Sequence, residues 1–109
     1  MIRADEQLVE QVLINLVKNA LEALTGIDEP SINLESFIIE DRHIIRITDN
    51  GRGIQPDMMD NIFIPFFTTK EGGSGIGLTF ARQVMKLHHG SVKVYSEPGK
   101  GTAVTLVFR

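Results

Sequence analysis

The stretch Ile44-Ile45-Arg46-Ile47-Thr48-Asp49-Asn50-Gly51-Arg52-Gly53 decides how this chain is read. An apolar, β-branched run from Ile44 to Thr48 predicts a strand. That strand delivers one carboxylate, Asp49, into a turn made flexible by two glycines. A carboxylate so placed accepts a hydrogen bond from an exocyclic amine, and glycines without Cβ let a flat ring or a phosphate approach the backbone. Taken alone the pattern is ambiguous, because Asp-Asn-Gly is also a good hairpin turn. Its meaning comes from the flanking sequence.

Towards the N-terminus, Ile32 to Ile39 reads as a second strand. Glu40-Asp41-Arg42 separates it from Ile44, which makes an antiparallel hairpin with His43 as a solvent-facing strand residue. Ile27 to Ser31 is a connector with Asp28, Glu29 and Pro30. Before it, one long helical pattern runs to Thr25 and stops at Gly26, with Asp5 as N-cap and Glu6 at the positive helix end. Its apolar face is Val9, Val12, Leu13, Leu16, Val17, Ala20 and Leu24. Gln11, Asn15, Lys18, Asn19 and Glu22 gather on another side, within roughly a 100° arc. Asparagine is a poor helix former, so two of them one turn apart need a reason. One reading has them bonded to the core or to a neighbouring loop. The other has them facing a metal and phosphates, since an amide oxygen is a hard neutral ligand for Mg²⁺.

Towards the C-terminus, Pro56 opens a short helix expected over residues 56–62. Phe63-Ile64-Pro65-Phe66-Phe67 then holds three of the chain's six phenylalanines and reads in part as a core plug. Thr68-Thr69-Lys70-Glu71-Gly72-Gly73-Ser74-Gly75 follows, abruptly polar and glycine-rich, in the manner of a lid. Gly73-Ser74-Gly75-Ile76-Gly77-Leu78 opens a helix running to about His88, with Leu78, Ala81, Val84, Met85 and Leu87 on its apolar side. Free N–H groups at such a helix start suit phosphates. The loop lacks the G-K-[ST] ending of a P-loop, and no strand precedes it as a dinucleotide fingerprint requires. His88 and His89 read as partners of the helix C-terminus, not as metal ligands. Ser91 to Ser96 and Thr102 to Phe108 are two more strands, joined by Glu97-Pro98-Gly99-Lys100-Gly101.

The 109 residues suit one domain with a modest core, and the composition is that of an ordinary globular chain. A net charge of −3 with scattered basic residues argues against nucleic acid as a partner. The absence of cysteine excludes a disulfide scaffold, a thiol nucleophile and a cysteine-ligated metal, and it fits a reducing compartment. No run of residues is long and apolar enough for a membrane span, and no signal peptide is evident. The helix begins almost at once, so the start is expected to be a cut inside a longer protein. The element order predicts an α+β two-layer sandwich: a mixed, mostly antiparallel sheet with helices on one face and a lid.

Together these stretches resemble the ATP-binding catalytic domain of sensor histidine kinases, within the superfamily that also holds type II topoisomerases, heat-shock chaperone ATPases and mismatch-repair ATPases. Residues 11–23, with Asn15 and Asn19, are similar to the asparagine box. Asp49-x-Gly51-x-Gly53 matches the first glycine box, Phe63-x-Pro65-Phe66-Phe67 the phenylalanine box, and Gly73-x-Gly75-x-Gly77-Leu78 the second glycine box. Gly99-x-Gly101-Thr102 resembles the trailing glycine–threonine element. Five weak motifs in the right order and spacing cover nearly the whole chain, residues 1–109. The wording from Phe67 to Lys70 looks most like the nitrogen-regulation type.

The resemblance implies ATP and Mg²⁺ as cofactors. Asp49 would bond the adenine amino group, in a pocket shaped by Gly51, Gly53 and Ile54. Asn19 would be the metal ligand, and Asn15 and Lys18 would lie by the phosphates and serve the transfer. Gly73, Gly75, Gly77 and Leu78 would form the phosphate-side end of a lid that is mobile without nucleotide, with Lys70 and Thr102 as further contacts. In the ATPase branches a glutamate one turn before the metal asparagine activates water. Here that place is Asn15, which cannot act as a general base, so inefficient hydrolysis is expected.

The family's phosphate acceptor is a histidine on a separate helical dimerisation domain. None of His43, His88 and His89 has such a setting. The acceptor domain is therefore expected to be absent from this chain, together with the strand that precedes the first helix in the full family domain. The resemblance further implies a cytoplasmic domain, whether or not the parent is membrane-anchored, a parent that is a homodimer through the missing domain, and a response regulator downstream. Two alternatives share the fold: an anti-sigma-factor-type serine kinase, and a non-catalytic nucleotide-sensing module. The phenylalanine box and the Thr-Thr-Lys wording argue against the first, and the intact Asn19, Asp49 and glycine boxes against the second.

Overall fold

The computed structural model describes residues 6–54 and 77–108. Two α-helices and four strands follow in the order α1 (Glu6–Ala23), β1 (Ile32–Ile39), β2 (Arg42–Asp49), α2 (Gly77–Leu87), β3 (Ser91–Glu97) and β4 (Gly101–Val107). The Asp5 cap, the helix expected over residues 56–62, the phenylalanine box and the loop that carries Lys70, Gly73 and Gly75 lie outside the described residues.

The strands form one sheet in the order β1-β2-β4-β3. Every pairing among the described residues is antiparallel, in keeping with the mostly antiparallel sheet expected. Both helices lie on one face. α1 packs on β2 and more lightly on β4, α2 packs on β3, and the helices pack on each other. Alternation along the strands sends Ile45 and Ile47 of β2, Val104 and Leu106 of β4, and Val92 of β3 towards that helix layer. They meet Val12, Leu16 and Ala20 of α1 and Ala81, Val84 and Met85 of α2 in one core. The layer ends at β2, so Leu34 and Ile38 of the edge strand β1 stay exposed although they face the helix side. On the opposite face Arg46 lies 5.2 Å from the Phe37 ring centroid, and its Nε donates to Thr105 Oγ1 at 3.3 Å.

The helix faces depart from the expected ones in two places. Leu87, expected on the apolar side of α2, is 70% exposed as the last residue of the helix. Leu8 packs against the core from the first turns of α1, and Leu24 lies past the helix end, half-buried. α2 closes with His89, not Gly90, in the left-handed region, at φ 58°. His89 N–H then bonds Lys86 O and Gly90 N–H bonds Met85 O, which satisfies carbonyls of the last turn. His88 is drawn back to the same helix end, with Nδ1 2.8 Å from Val84 O and its ring edge-on to Phe108.

Phe108 is among the largest fully buried side chains. Its N–H donates to His43 O at 2.8 Å, which locks the chain end across β2. Phe108→Ala is expected to cost about 3–5 kcal/mol, a fall in Tm of roughly 10–20 °C by thermal melt.

Candidate functional site

Asp49 ends β2 on the helix side of the sheet, between Ile32 of β1 and Thr102 of β4. At 8% exposure it is the one buried charged or polar residue among those described. A buried carboxylate needs hydrogen bonds, and Asp49 Oδ1 accepts one from Gly51 N–H at 2.8 Å. The local sequence arranges this bond. Asn50 turns the chain and clamps the connector, taking Ser31 N–H on Oδ1 at 2.8 Å and donating Nδ2 to Glu29 O at 3.0 Å. Gly51 is then pressed on the end of α1, where a Cβ would lie 2.5 Å from Ala23 O. Arg52 N–H caps the same carbonyl at 3.2 Å.

Asn15, Asn19 and Ala23 are spaced four apart and form one stripe along α1. The stripe runs from the Gly51 contact at Ala23 to Asn15, about 12 Å along the helix axis. A site bounded by α1 therefore has a carboxylate at one end and amides at the other. Asn15 and Asn19 are half-buried on the flank of the core-facing side, while Lys18 is exposed. Asn15 Oδ1 accepts from Gln11 Nε2 at 3.0 Å, which leaves the Asn15 NH₂ group as the donor end of the amide. For Asn15, the bond to Gln11 is a local one within the helix face, not an anchor in the core.

Gly77 starts α2, and Leu78 packs against the core. Gly53 and Ile54 follow Asp49 and dock on the β3–β4 hairpin. Ile54 N–H donates to Ser96 Oγ at 2.7 Å, and Gly99 N–H donates to Arg52 O at 2.8 Å. Thr102 Oγ1 lies 2.9 Å from Ser96 Oγ. Beyond this node Glu97 accepts from the Tyr95 hydroxyl and pairs with Lys100 at 3.4 Å. The Tyr95 hydrogen bond, then the Lys100 charge, hold the Glu97 carboxyl below its ordinary value, and the same bond raises Tyr95. A lowered carboxyl contributes above its unfolded value and ceases to as pH falls through the folded one. Acid thus removes the contribution of this exposed pair of contacts.

Asp49, Gly51, Gly53, Ile54 and Thr102 are thus brought together at one end of the site, while Asn15, Lys18 and Asn19 share α1. Lys70, Gly73 and Gly75 lie outside the described residues. Sequence reading missed Ser96 and Asn50. Asn50 stands in plain view inside the glycine turn, whereas a single serine in a strand carries no signal of its partners.

No group of three or more histidines or carboxylates suited to a metal occurs among the described residues. The candidate ligand is a neutral amide oxygen, that of Asn19. It fits Mg²⁺, which takes few protein ligands and draws the rest from phosphates and water.

No described helix is long and apolar enough to cross a membrane. The chain is 41% identical over 105 residues to the sensor histidine kinase ZraS of Salmonella typhimurium, covering 96% of this chain and 22% of that protein. It spans about a fifth of the length of the curated relatives it matches. Among solved structures, the nucleotide-free catalytic domain of histidine kinase ThkA superposes with a TM-score of 0.81 at 33% identity, over 96% of this chain and 68% of that one. Full-length ShkA in complex with AMPPNP superposes with a TM-score of 0.84 at 28% identity, over 96% and 22%. A buried carboxylate at a strand end, a glycine turn capping the asparagine helix and an antiparallel sheet under two helices agree with a match over residues 4–109, which implies ATP binding: the chain belongs to the histidine kinase-, DNA gyrase B- and HSP90-like ATPase family.

Proposed function

We propose that this domain binds Mg–ATP and presents the γ-phosphate to a histidine on a separate dimerisation domain, in two-component signalling. The observation that carries the reading is the buried Asp49 carboxylate, held by Gly51 N–H at one end of a stripe whose other end is Asn15. A charge so placed suits a base amine, and amides at the other end of the stripe suit the phosphates of the same molecule. Gly51, Gly53 and Ile54 form the wall of the base pocket, with Thr102 beside Asp49. Asn15 NH₂ and Lys18 donate to phosphate oxygens, and the Asn19 amide oxygen holds Mg²⁺. When bound, Mg²⁺ neutralises phosphate charge. Gly77 and Leu78 bound the phosphate side.

The chain's own part in transfer is positioning and charge placement. Asn15 offers no base for water, so hydrolysis is slow. His43 lies in β2, and His88 and His89 close α2. The acceptor is accordingly on another domain, through which the parent dimerises, and a response regulator receives the phosphate. The domain is a cytoplasmic one in this reading.

Calorimetry with ATP and ADP, with and without Mg²⁺, tests the proposal. Binding is expected to tighten with Mg²⁺, and Asn19→Ala is expected to erase that difference while ADP alone still binds. Labelled ATP should leave this chain unlabelled, and label should appear on a helical acceptor domain when one is added. Label on His88 or His89 in the chain alone would overturn the assignment of the acceptor.

A further inference from the structure

We infer that Ser96 is a positioning residue of the nucleotide site: its hydroxyl clamps the turn after Asp49 to β3 and fixes where the base pocket ends. The inference rests on the nucleotide reading above and extends it to a residue outside the motifs.

The β2 chain leaves the sheet at Asp49, so Gly51 to Ile54 must be held by other bonds. α1 holds the first half of the turn, through Ala23 O and Arg52 N–H. The β3–β4 hairpin holds the second half. Gly53, at φ 74°, lies so close that a Cβ would stand 2.2 Å from Glu97 O, and Gly99 N–H reaches Arg52 O. Those are backbone contacts. A side chain joins the two turns as well: Ser96 Oγ accepts from Ile54 N–H at 2.7 Å.

Ser96 has one proton and two lone pairs. Besides accepting from Ile54 N–H, its oxygen lies 3.0 Å from Gly101 O and 2.9 Å from Thr102 Oγ1. Both are acceptors for its single proton, so it donates to one of them at a time. When it donates to Gly101 O, Thr102 donates to Ser96. When it donates to Thr102 Oγ1, the Thr102 proton is released from Ser96, on the residue that pairs with Asp49 in the register. The hydroxyl therefore sets both the backbone position of Ile54 and the donor state of Thr102. Alanine at this position leaves Ile54 N–H without its acceptor and leaves Thr102 without its partner.

The test compares wild type, Ser96→Ala and Ser96→Thr. Amide exchange by NMR is read at Ile54, with Leu106 as a core reference, and ADP affinity and Tm are measured on the same samples. Ser96→Ala is expected to speed exchange at Ile54 about tenfold or more with Leu106 unchanged. It is expected to weaken ADP about tenfold, while Tm falls by only a few degrees. Ser96→Thr keeps a hydroxyl on a strand-tolerant side chain and is expected to restore both. Unchanged Ile54 exchange in Ser96→Ala would overturn the clamp. Faster exchange with unchanged affinity would overturn the positioning role. Wild type that fails to bind ADP would overturn the nucleotide reading, and with it the positioning role, while the Ile54 exchange rate would still report the clamp itself.

Discussion

Asp49→Asn is expected to abolish measurable ATP and ADP binding and to leave the domain folded. The change keeps the shape of the side chain, and the Asn oxygen can still accept from Gly51 N–H as Asp49 Oδ1 does at 2.8 Å. What changes is the charge and one acceptor, which becomes an NH₂ donor. A donor set against the amino group of a base loses a charge-assisted hydrogen bond and leaves two donors facing each other. The two effects together are about 3–5 kcal/mol, roughly a hundredfold to several thousandfold in Kd. Stability should move the other way or not at all. A carboxylate that is only 8% exposed carries a desolvation cost which the neutral amide avoids. Calorimetry paired with thermal melts checks both sides. Unchanged affinity would remove Asp49 from the base pocket, and a collapsed fold would make it a structural residue.

Gly101→Ala is expected to be strongly destabilising although it adds a single methyl, and to cost nucleotide affinity as well. Gly101 opens β4 at φ 134°, and a Cβ there would lie 2.0 Å from Asp49 O and 3.0 Å from Asn50 Cα. Both obstacles are backbone, so no side chain can swing aside. The pair β2–β4 must open at the end where Asp49 sits. Overpacking and the strained φ together cost roughly 2–6 kcal/mol, and Tm should fall by roughly 10 °C or more. Gly99→Ala supplies the control in the same hairpin. Its φ is 77°, but nothing lies within 4 Å of a Cβ there, so only the backbone strain of about 1–2 kcal/mol remains. Thermal melts of the two variants decide the matter. Equal losses would show that φ alone governs this turn, and that the close approach of Gly101 to Asp49 does not.

Much of the architecture is legible from periodicity. Val12, Leu16 and Ala20 repeat at helical spacing, and they are the buried residues of α1. The hairpin from Ile32 to Thr48 and the pair of C-terminal strands can be read to within one or two residues of their observed ends. Side-chain period reports the face an element buries, and that is a local property. Where an element stops against its neighbours is less local. Leu87 fits the apolar face of α2 by spacing, yet as the last residue of the helix it is left exposed. Likewise Gly90 has the chemistry of a helix stop, and His89 takes the left-handed position instead.

The functional end divides in the same way. The chemical parts are legible in the chain before it folds: one carboxylate at a strand end, asparagines one turn apart on a helix, and glycines at fixed offsets. Those parts follow from residue identity and spacing, so the family resemblance is visible without any coordinates. Only the tertiary structure decided the strand order β1-β2-β4-β3, which sets Thr102 beside Asp49 and Ser96 beside Thr102. The tertiary structure also decided that the Asp49 turn caps α1 at Ala23, and that Ser96 Oγ receives Ile54 N–H. The physical reason is range. Forty-two positions separate Ile54 from Ser96 along the chain, and no local pattern encodes a hydrogen bond whose partners meet only after the sheet has paired.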